Sequence, residues 1–341
     1  MMDAIHENRL LSRWADLLPR GPRPNGAVHE SDCELVNLGG GRLLALTIDT
    51  IDEEVRLGLY RDAETAGRIA VVATVSDLAA VGAEPLGLLL SVSLPAIDAE
   101  QVQRRVAAGV GEACALAGTF VLGGDTSESD GLRISCVGAG TVPAEGVLRR
   151  VGMRPGDVLF ASGRLGAGAA LGAALWLATE DAFPESAFRP VPRIAEGRAL
   201  RGIASACMDT SDGLVATLDQ LARLNGVALR VEAQLPSLLL PPVDELRRHL
   251  GIGAFPFLAA HHGEFELVFS VPEGLVDGLR QQARAIGWEP VRLGRVEAGA
   301  GVWIGDSAVD GAAIRNLRHS VGGDPSRYAR ALLDLSFERS V

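Results

Sequence analysis

Lysine is absent from the 341 residues: all 32 basic side chains are arginine. A Schiff-base lysine, a P-loop lysine and the strand lysine of protein kinases are thereby excluded. Aromatic residues make up 4% of the chain, which leaves few platforms for stacking nucleobases. Cysteine is sparse as well. Cys33, Cys114, Cys136 and Cys207 stand far apart without a CxxC pair, a pattern that predicts buried, reduced thiols in a cytoplasmic protein. No uncharged apolar run reaches the roughly 18 residues that span a bilayer. The N-terminal stretch carries His6, Glu7, Arg9, Arg13 and Asp16 among its apolar residues and does not read as a signal peptide. Positive charge is also outweighed, with 43 acidic residues and a formal charge of −11. Neither a membrane nor a nucleic acid is therefore the expected partner. An anionic ligand would have to be held by arginine, backbone N–H groups or metal ions.

The periodicities that are present alternate between helix and strand in both halves. Glu34–Leu38 and Arg42–Asp49 flank Gly39-Gly40-Gly41 and read as a hairpin. Residues 62–81 read as a helix with Ile69, Val72, Ala73, Ser76 and Ala80 on one stripe, closed by Gly82. Strands are expected at Leu86–Leu94, at Thr119–Leu122 running into GGDTS, and at Gly131–Val142. A helix N-capped by Asp98 is expected over Asp98–Ala117. RGPRPN (20–25) reads as a loop. RRVGMRPGD (149–157) marks a boundary, which divides the chain into 1–146 and 147–341. Beyond it, a strand at Val158–Ser162 precedes an Ala/Gly-rich helix through Trp176. A helix from Pro192, the MDTSDG turn and a helix Leu214–Leu224 follow. Strands are then expected at Val227–Glu232, Glu264–Val271, Val291–Arg295 and Val302–Ile304, with a helix over Glu273–Ile286.

Aspartates recur at the ends of these apolar elements. Asp32 precedes the first strand, Asp49 ends the second, Asp125 follows a strand in GGDTS, and Asp209 and Asp212 flank a turn. Each alone can be a turn or cap residue, as Asp212 can be before its helix. Asp77 is harder to explain that way. In the last turn of a helix it faces the negative end of the macrodipole and needs a compensating cation. If these carboxylates converge, divalent ions are required to hold them together. Oxygen donors without a His or Cys cluster select Mg²⁺. Several Mg²⁺ ions in a lysine-free site point to a polyphosphate substrate, with glycines beside Asp125 letting backbone N–H groups approach it and Arg150 as a bidentate donor. The residues alone thus describe a Mg²⁺-dependent nucleotide enzyme.

SDLAAVGAEP (76–85), GGDTS (123–127), RRVGMRPGD (149–157) and MDTSDGL (208–214) resemble the motifs of thiamine-monophosphate kinase. ESDCELV (30–36), TIDT (47–50) and HHGEFELVFSVP (261–272) add weaker matches in the same order. The resemblance spans residues 28–305 and extends to a superfamily with aminoimidazole ribonucleotide synthetase, selenophosphate synthetase and a hydrogenase-maturation dehydratase. It implies an α+β, two-domain, aminoimidazole-ribonucleotide-synthetase-like fold. The N-terminal ATP/Mg-binding domains would pair into a homodimer with a β-barrel closed across the interface, beside a C-terminal α+β domain. It also implies Mg²⁺ at Asp32, Thr47, Asp49, Asp77, Asp125, Asp209 and Asp212, and ATP at Gly124, Asp125, Arg150 and Ser211. Asp77, Asp125 and Asp212 would be catalytic, and the γ-phosphoryl would pass in line and directly to a small-molecule acceptor, with thiamine monophosphate among the candidates.

The departures gather on the acceptor side. Glu30-Ser31-Asp32 replaces Gly-Asp-Asp, and Ile48 replaces a threonine. Arg56 stands where the kinase has a substrate-contacting histidine, which favours an anionic acceptor unless Arg56 simply pairs with Glu53 or Glu54. Gly-Gly-Glu-Asp-Tyr-Glu-Leu has become His261 to Leu267, so the substrate-contacting glutamate is lost or shifted to Glu264. His261 and His262 read either as a base or acceptor contact or as solvated loop residues. The aromatic-containing tail of the kinase is not recognisable in Leu317–Val341, an Arg-rich helix by pattern. Two other readings remain open. One is ATP-driven activation of a carbonyl or amide oxygen, although no N-terminal reactive Cys or Lys and no terminal cysteine in FERSV supports it. The other is a degenerate homologue that binds nucleotide without turnover.

Overall fold

The computed structural model describes residues 2–19, 21, 26–177 and 179–335. The loop expected at 20–25 lies, Gly21 apart, outside them, as does the tail 336–341. Leu35, Leu43 and Ala45 point into the first core from alternate positions, which makes strands of their segments. After α1 (His6–Leu17), β1 (Glu34–Gly39) and β2 (Arg42–Thr50) pair antiparallel. The short α2 (Asp52–Arg56) leads to α3 (Ala63–Ala80), then β3 (Glu84–Pro95), α4 (Ala99–Ala117), β4 (Val121–Ser129) and β5 (Arg133–Pro143). These strands form one sheet in the order β1-β2-β5-β3-β4, with β4 as a parallel edge beside β3. The sheet is open in a single chain.

The second half contributes β6 (Val158–Ala161), α5 (Ala167–Trp176), α6 (Ile194–Ala199), β7 (Ala206–Asp209), α7 (Leu214–Asn225) and β8 (Ala228–Val231). It continues with α8 (Leu235–Leu238), α9 (Pro241–Leu250), α10 (Phe255–Ala259), β9 (Leu267–Val271) and α11 (Val276–Ala285). Strands β10 (Val291–Glu297), β11 (Gly301–Ile304) and β12 (Ser307–Val309) and helices α12 (Gly311–Ser320) and α13 (Pro325–Asp334) complete it. The second sheet runs β12-β11-β8-β10-β6-β9-β7. The two sheets fall on either side of residue 146/147, but α1 packs on the second half. The His6 amide donates to Asn316 Oδ1 at 2.9 Å, and Asn8 Nδ2 to Gln220 Oε1 at 3.1 Å.

Several elements depart from the sequence expectation for physical reasons. Helix α3 has no single apolar stripe: from Ala66 to Ala80 every residue except Asp77 is buried. It lies between the first sheet, α4 and the second half, and such a helix loses its amphipathic signature. Asp62 caps it by accepting from the Glu64 amide at 3.3 Å, and Gly82 takes the left-handed conformation (φ +70°). Asp98 does not cap α4 with its side chain: it is itself left-handed (φ +58°) and offers only its carbonyl to Gln101 and Val102. GGDTS does not follow a strand ending at Leu122 but forms the middle of β4. A Cβ on Gly124 would stand 1.9 Å from the Leu90 carbonyl oxygen, so this close pairing requires glycine. Glu264–Glu266 form a buried loop ahead of β9 rather than its first residues, and Phe265 holds φ +60° there. The tail is two helices separated at Gly322-Gly323 rather than one. All four cysteines are free and buried, and burial pushes the Cys136 thiol up to about 12.

Candidate active site

The site is assembled from four chain segments that meet where α3 ends. Asp77 occupies its last turn and accepts a short hydrogen bond from the Thr47 hydroxyl on β2. Strand alternation places Asp49 on the same face of β2 as Thr47. Strand β7 delivers Asp209, which accepts from Ser76 Oγ at 2.8 Å and from Ser211 Oγ at 3.2 Å. Ahead of β1, the fully buried Asp32 side chain accepts from Arg150 Nη2 at 2.8 Å. Carboxylate oxygens of Asp32, Asp77 and Asp209 lie within 4.8 Å of one another. The turn carrying Ser211 and Asp212 is held from behind by Gly263, whose amide donates to the Ser211 carbonyl at 2.9 Å. A Cβ on Gly263 would collide with the Thr210 carbonyl oxygen at 1.5 Å. Asp212 is partly exposed at the rim, with Oδ1 3.6 Å from His261 Nε2.

Burial and mutual repulsion make this cluster costly as anions. Burial, then the charges of Asp49, Asp209 and Asp32, hold the Asp77 carboxyl well above the usual range. Burial and Asp32 raise Asp209 to about 7, and burial with Asp212 and Asp32 raises Asp49 to about 6. Arg150 offsets part of this. Burial alone would weaken its charge, but Asp32 and, more distantly, Asp77 and Asp209 outweigh that and keep the guanidinium protonated. One buried oxygen, Asp32 Oδ2, has no hydrogen-bond partner. An orphaned oxygen in an oxygen-only cluster too acidic for its own burial fits a hard divalent cation such as Mg²⁺.

The structure does not bring every expected residue to this point. Asp125 and Gly124 are exposed on the edge strand β4, and β4 is separated from β2 by β5 and β3. Asp125 stands in register with Ser91, Ser135 and Thr50, so alternation puts it on the sheet face opposite Asp49, about 14 Å away across three strand spacings. Arg56 is 77% exposed and its Nη2 lies 3.6 Å from Glu53 Oε1, a surface pair rather than an acceptor contact. Glu264 is buried at the start of α5 and accepts from the Gly166 amide at 2.9 Å and from the next two amides, with burial raising its carboxyl to about 8. It fastens a helix terminus instead of facing the cluster.

Beside His261, whose Nε2 lies 3.6 Å from Asp212, a cleft opens between α2 and the helices α5, α10, α12 and α13. Its aromatic lining is Trp176, Phe257 and Tyr328. Tyr328 Oη accepts from the His261 amide at 2.6 Å, fixing the loop at the cleft mouth. The sequence pattern of the tail gave no hint of this, because the signal is a single tyrosine in an Arg-rich helix. His262 is partly buried, with Nε2 3.1 Å from Tyr60 Oη. Burial and then the charge of His261, opposed by Asp212, lower its pKa to about 4. Its folded value lies below the unfolded one, so its contribution to stability is complete above about pH 6.5 and is lost as pH falls toward 4. The slope from this residue is at most about 1.4 kcal/mol per pH unit. Urea unfolding of wild type and His262→Gln between pH 7.5 and 5 should show a flatter dependence in the variant; parallel curves would remove His262 from the account.

Residues 30–142 match the family model of the AIR synthase related protein N-terminal domain. Together with the two sheets and the carboxylate cluster, this match places the chain in the AIR-synthase-related class. The thiamine-monophosphate kinase of Salmonella typhimurium (strain LT2) is 33% identical over 253 residues, 71% of this chain and 75% of that protein. The thiamine-monophosphate kinase of Pyrococcus abyssi is 29% identical over 296 residues, 86% and 90% of the two chains. A solved structure of AaThiL complexed with AMPPCP and TMP superposes with TM-score 0.75 at 26% identity, covering 91% of this chain and 96% of that one. The chain belongs to the thiamine-monophosphate kinase family and is an ATP-dependent phosphotransferase. Among the described residues, no helix is long and apolar enough to cross a membrane.

Proposed function

We propose that the chain transfers the γ-phosphoryl group of ATP directly to the phosphate of thiamine monophosphate or of a close analogue. The observation that carries this is the carboxylate triad Asp32, Asp77 and Asp209, within 4.8 Å and opposed by Arg150, together with a separate cleft whose wall residue His261 lies 3.6 Å from Asp212. The structure of AaThiL with AMPPCP and TMP supports the same pair of ligands here. Asp32, Thr47, Asp49, Asp77, Asp209 and Asp212 would hold Mg²⁺, which when bound supplies the positive charge that a lysine-free site lacks. Arg150 and Ser211 would position the triphosphate. The reaction breaks the bond between the γ-phosphorus and the β–γ bridging oxygen and forms one to an acceptor phosphate oxygen. A phosphate monoester is already mostly dianionic near pH 7, so its oxygen needs no general base. That agrees with His261 being engaged by Asp212 rather than standing free. Positioning and charge then account for the rate.

Gly124 and Asp125 enter this scheme through a second copy of the chain. Strand β4 is a long exposed edge, and Phe120, Val121 and Leu122 at its start are each more than 40% exposed. Edges of this kind are normally covered. A homodimer through β4 would close the open sheets into a barrel and carry Gly124 and Asp125 toward the cluster of the other copy.

Calorimetry with AMPPCP should show uptake that depends on Mg²⁺ and is abolished by EDTA. A ligand at 100-fold its dissociation constant should raise stability by about 2.7 kcal/mol. Phosphorus NMR with ATP, Mg²⁺ and thiamine monophosphate should show ADP and a diphosphate ester. Metal-independent AMPPCP binding, or ADP with free phosphate alone, would overturn the reading.

A further inference from the structure

The cleft beside His261 contains an acidic group that the reaction does not use. Glu54, on α2, lines it and is its only carboxylate among the described residues. The other charged or titratable lining groups are engaged: Arg318 by Glu53, the His261 ring by Asp212, the Tyr328 hydroxyl by the His261 amide, and His262 by Tyr60. Glu54 Oε2, by contrast, is buried and has no hydrogen-bond partner. Leaving a buried carboxylate oxygen unpaired is costly, and a cation or a donor that arrives with a ligand would remove that cost. Burial raises this carboxyl above its ordinary range against a hydrogen bond from its own backbone amide, and the charges of Asp212 and Asp49 add to the rise. The remaining walls are apolar and aromatic, including Leu57, Trp176, Phe257 and Leu332.

We infer that Glu54 is a specificity-determining residue that pairs with a cationic or N–H-donating group on a ring-bearing acceptor, while the acceptor's phosphate faces Asp212. This rests on the kinase reading and narrows its substrate class. A dianionic phosphate at one end and a positive or donor-bearing ring at the other would match the carboxylate-rich rim with its metal ions and the acidic cleft wall, respectively. Anionic-bodied phosphates such as sugar acids would be repelled by Glu54. Arg56, exposed and paired with Glu53, offers them no compensation.

The test compares wild type, Glu54→Gln and Glu54→Ala with two probes, in the presence of Mg²⁺ and AMPPCP for binding or ATP for turnover. Thiamine monophosphate carries a cationic ring; hydroxyethylthiazole phosphate carries a neutral one. Both variants should bind thiamine monophosphate at least about tenfold more weakly, with KM raised and kcat and AMPPCP affinity changed less than about twofold. Their affinity for the neutral probe should fall much less. Unchanged affinity of both variants for thiamine monophosphate, with wild-type turnover intact, would overturn the role of Glu54 and leave the kinase reading standing. Weakened binding in the variants without phosphorylation by wild type would do the reverse. No uptake of thiamine monophosphate by wild type would overturn both.

Discussion

Asp77→Asn should lower kcat by at least about a thousandfold while leaving the protein folded. The substitution keeps an oxygen that can accept from Thr47 but removes the charge at the centre of the cluster. Loss of a ligand to the metal that neutralises a triphosphate costs several kcal/mol of transition-state stabilisation, and about 4 kcal/mol is a factor of a thousand. Its effect on stability should have the opposite sign. In metal-free buffer the variant should melt at the same temperature as wild type or above it, because a buried carboxylate that Asp49, Asp209 and Asp32 repel has been neutralised. The rise in melting temperature on adding Mg²⁺ with AMPPCP should vanish. Retained turnover, or a variant that fails to fold without metal, would show that Asp77 has been misread.

Arg150→Ala should produce the largest loss of stability. The arginine pairs with Asp32, and its backbone joins both halves: its amide donates to the Glu30 carbonyl at 2.8 Å and its carbonyl accepts from Asn225 Nδ2 at 2.8 Å. Truncating the side chain leaves a fully buried carboxylate without its cation, a change that costs about 3–5 kcal/mol. Asp32→Asn in the Arg150→Ala background should recover much of it, since the uncompensated charge is then gone. Urea unfolding of the four proteins of this cycle, without metal, measures the coupling. A loss below about 1 kcal/mol, or a double variant no better than Arg150→Ala, would mean that Arg150 acts only on ligand.

The carboxylate cluster was legible in the sequence first through Asp77, which sits at the wrong end of a helix dipole and asks for an outside cause. Asp32, Asp49 and Asp209 taken singly read as turn or cap residues and joined it through the family resemblance. Most strands were legible for the ordinary reason that apolar residues alternate in them. What sequence patterning missed has identifiable physics behind it. Helix α3 is walled in on all sides, so periodicity says nothing about which face meets what. The GGDTS segment reads as the end of a strand with glycines that admit a phosphate, yet it lies within β4 and Gly124 serves a close strand pairing. Glu264 and Arg56 were assigned by their place in a motif, whereas burial at α5 and a surface pair with Glu53 decide where they point. Glu54 carries no local signal at all. It becomes conspicuous only when every neighbour's partner is known.

Helix α3 also limits how the enzyme can breathe. Ser76, in its last two turns, is tied to Asp209 of the second half at 2.8 Å, and a Cβ on Gly197 of α6 would lie 2.0 Å from the Ala79 carbonyl oxygen. Backbones pressed this close do not part and reseat with each turnover without dismantling the carboxylates between them. The seam between the halves is therefore expected to act as an anvil that stays put through turnover.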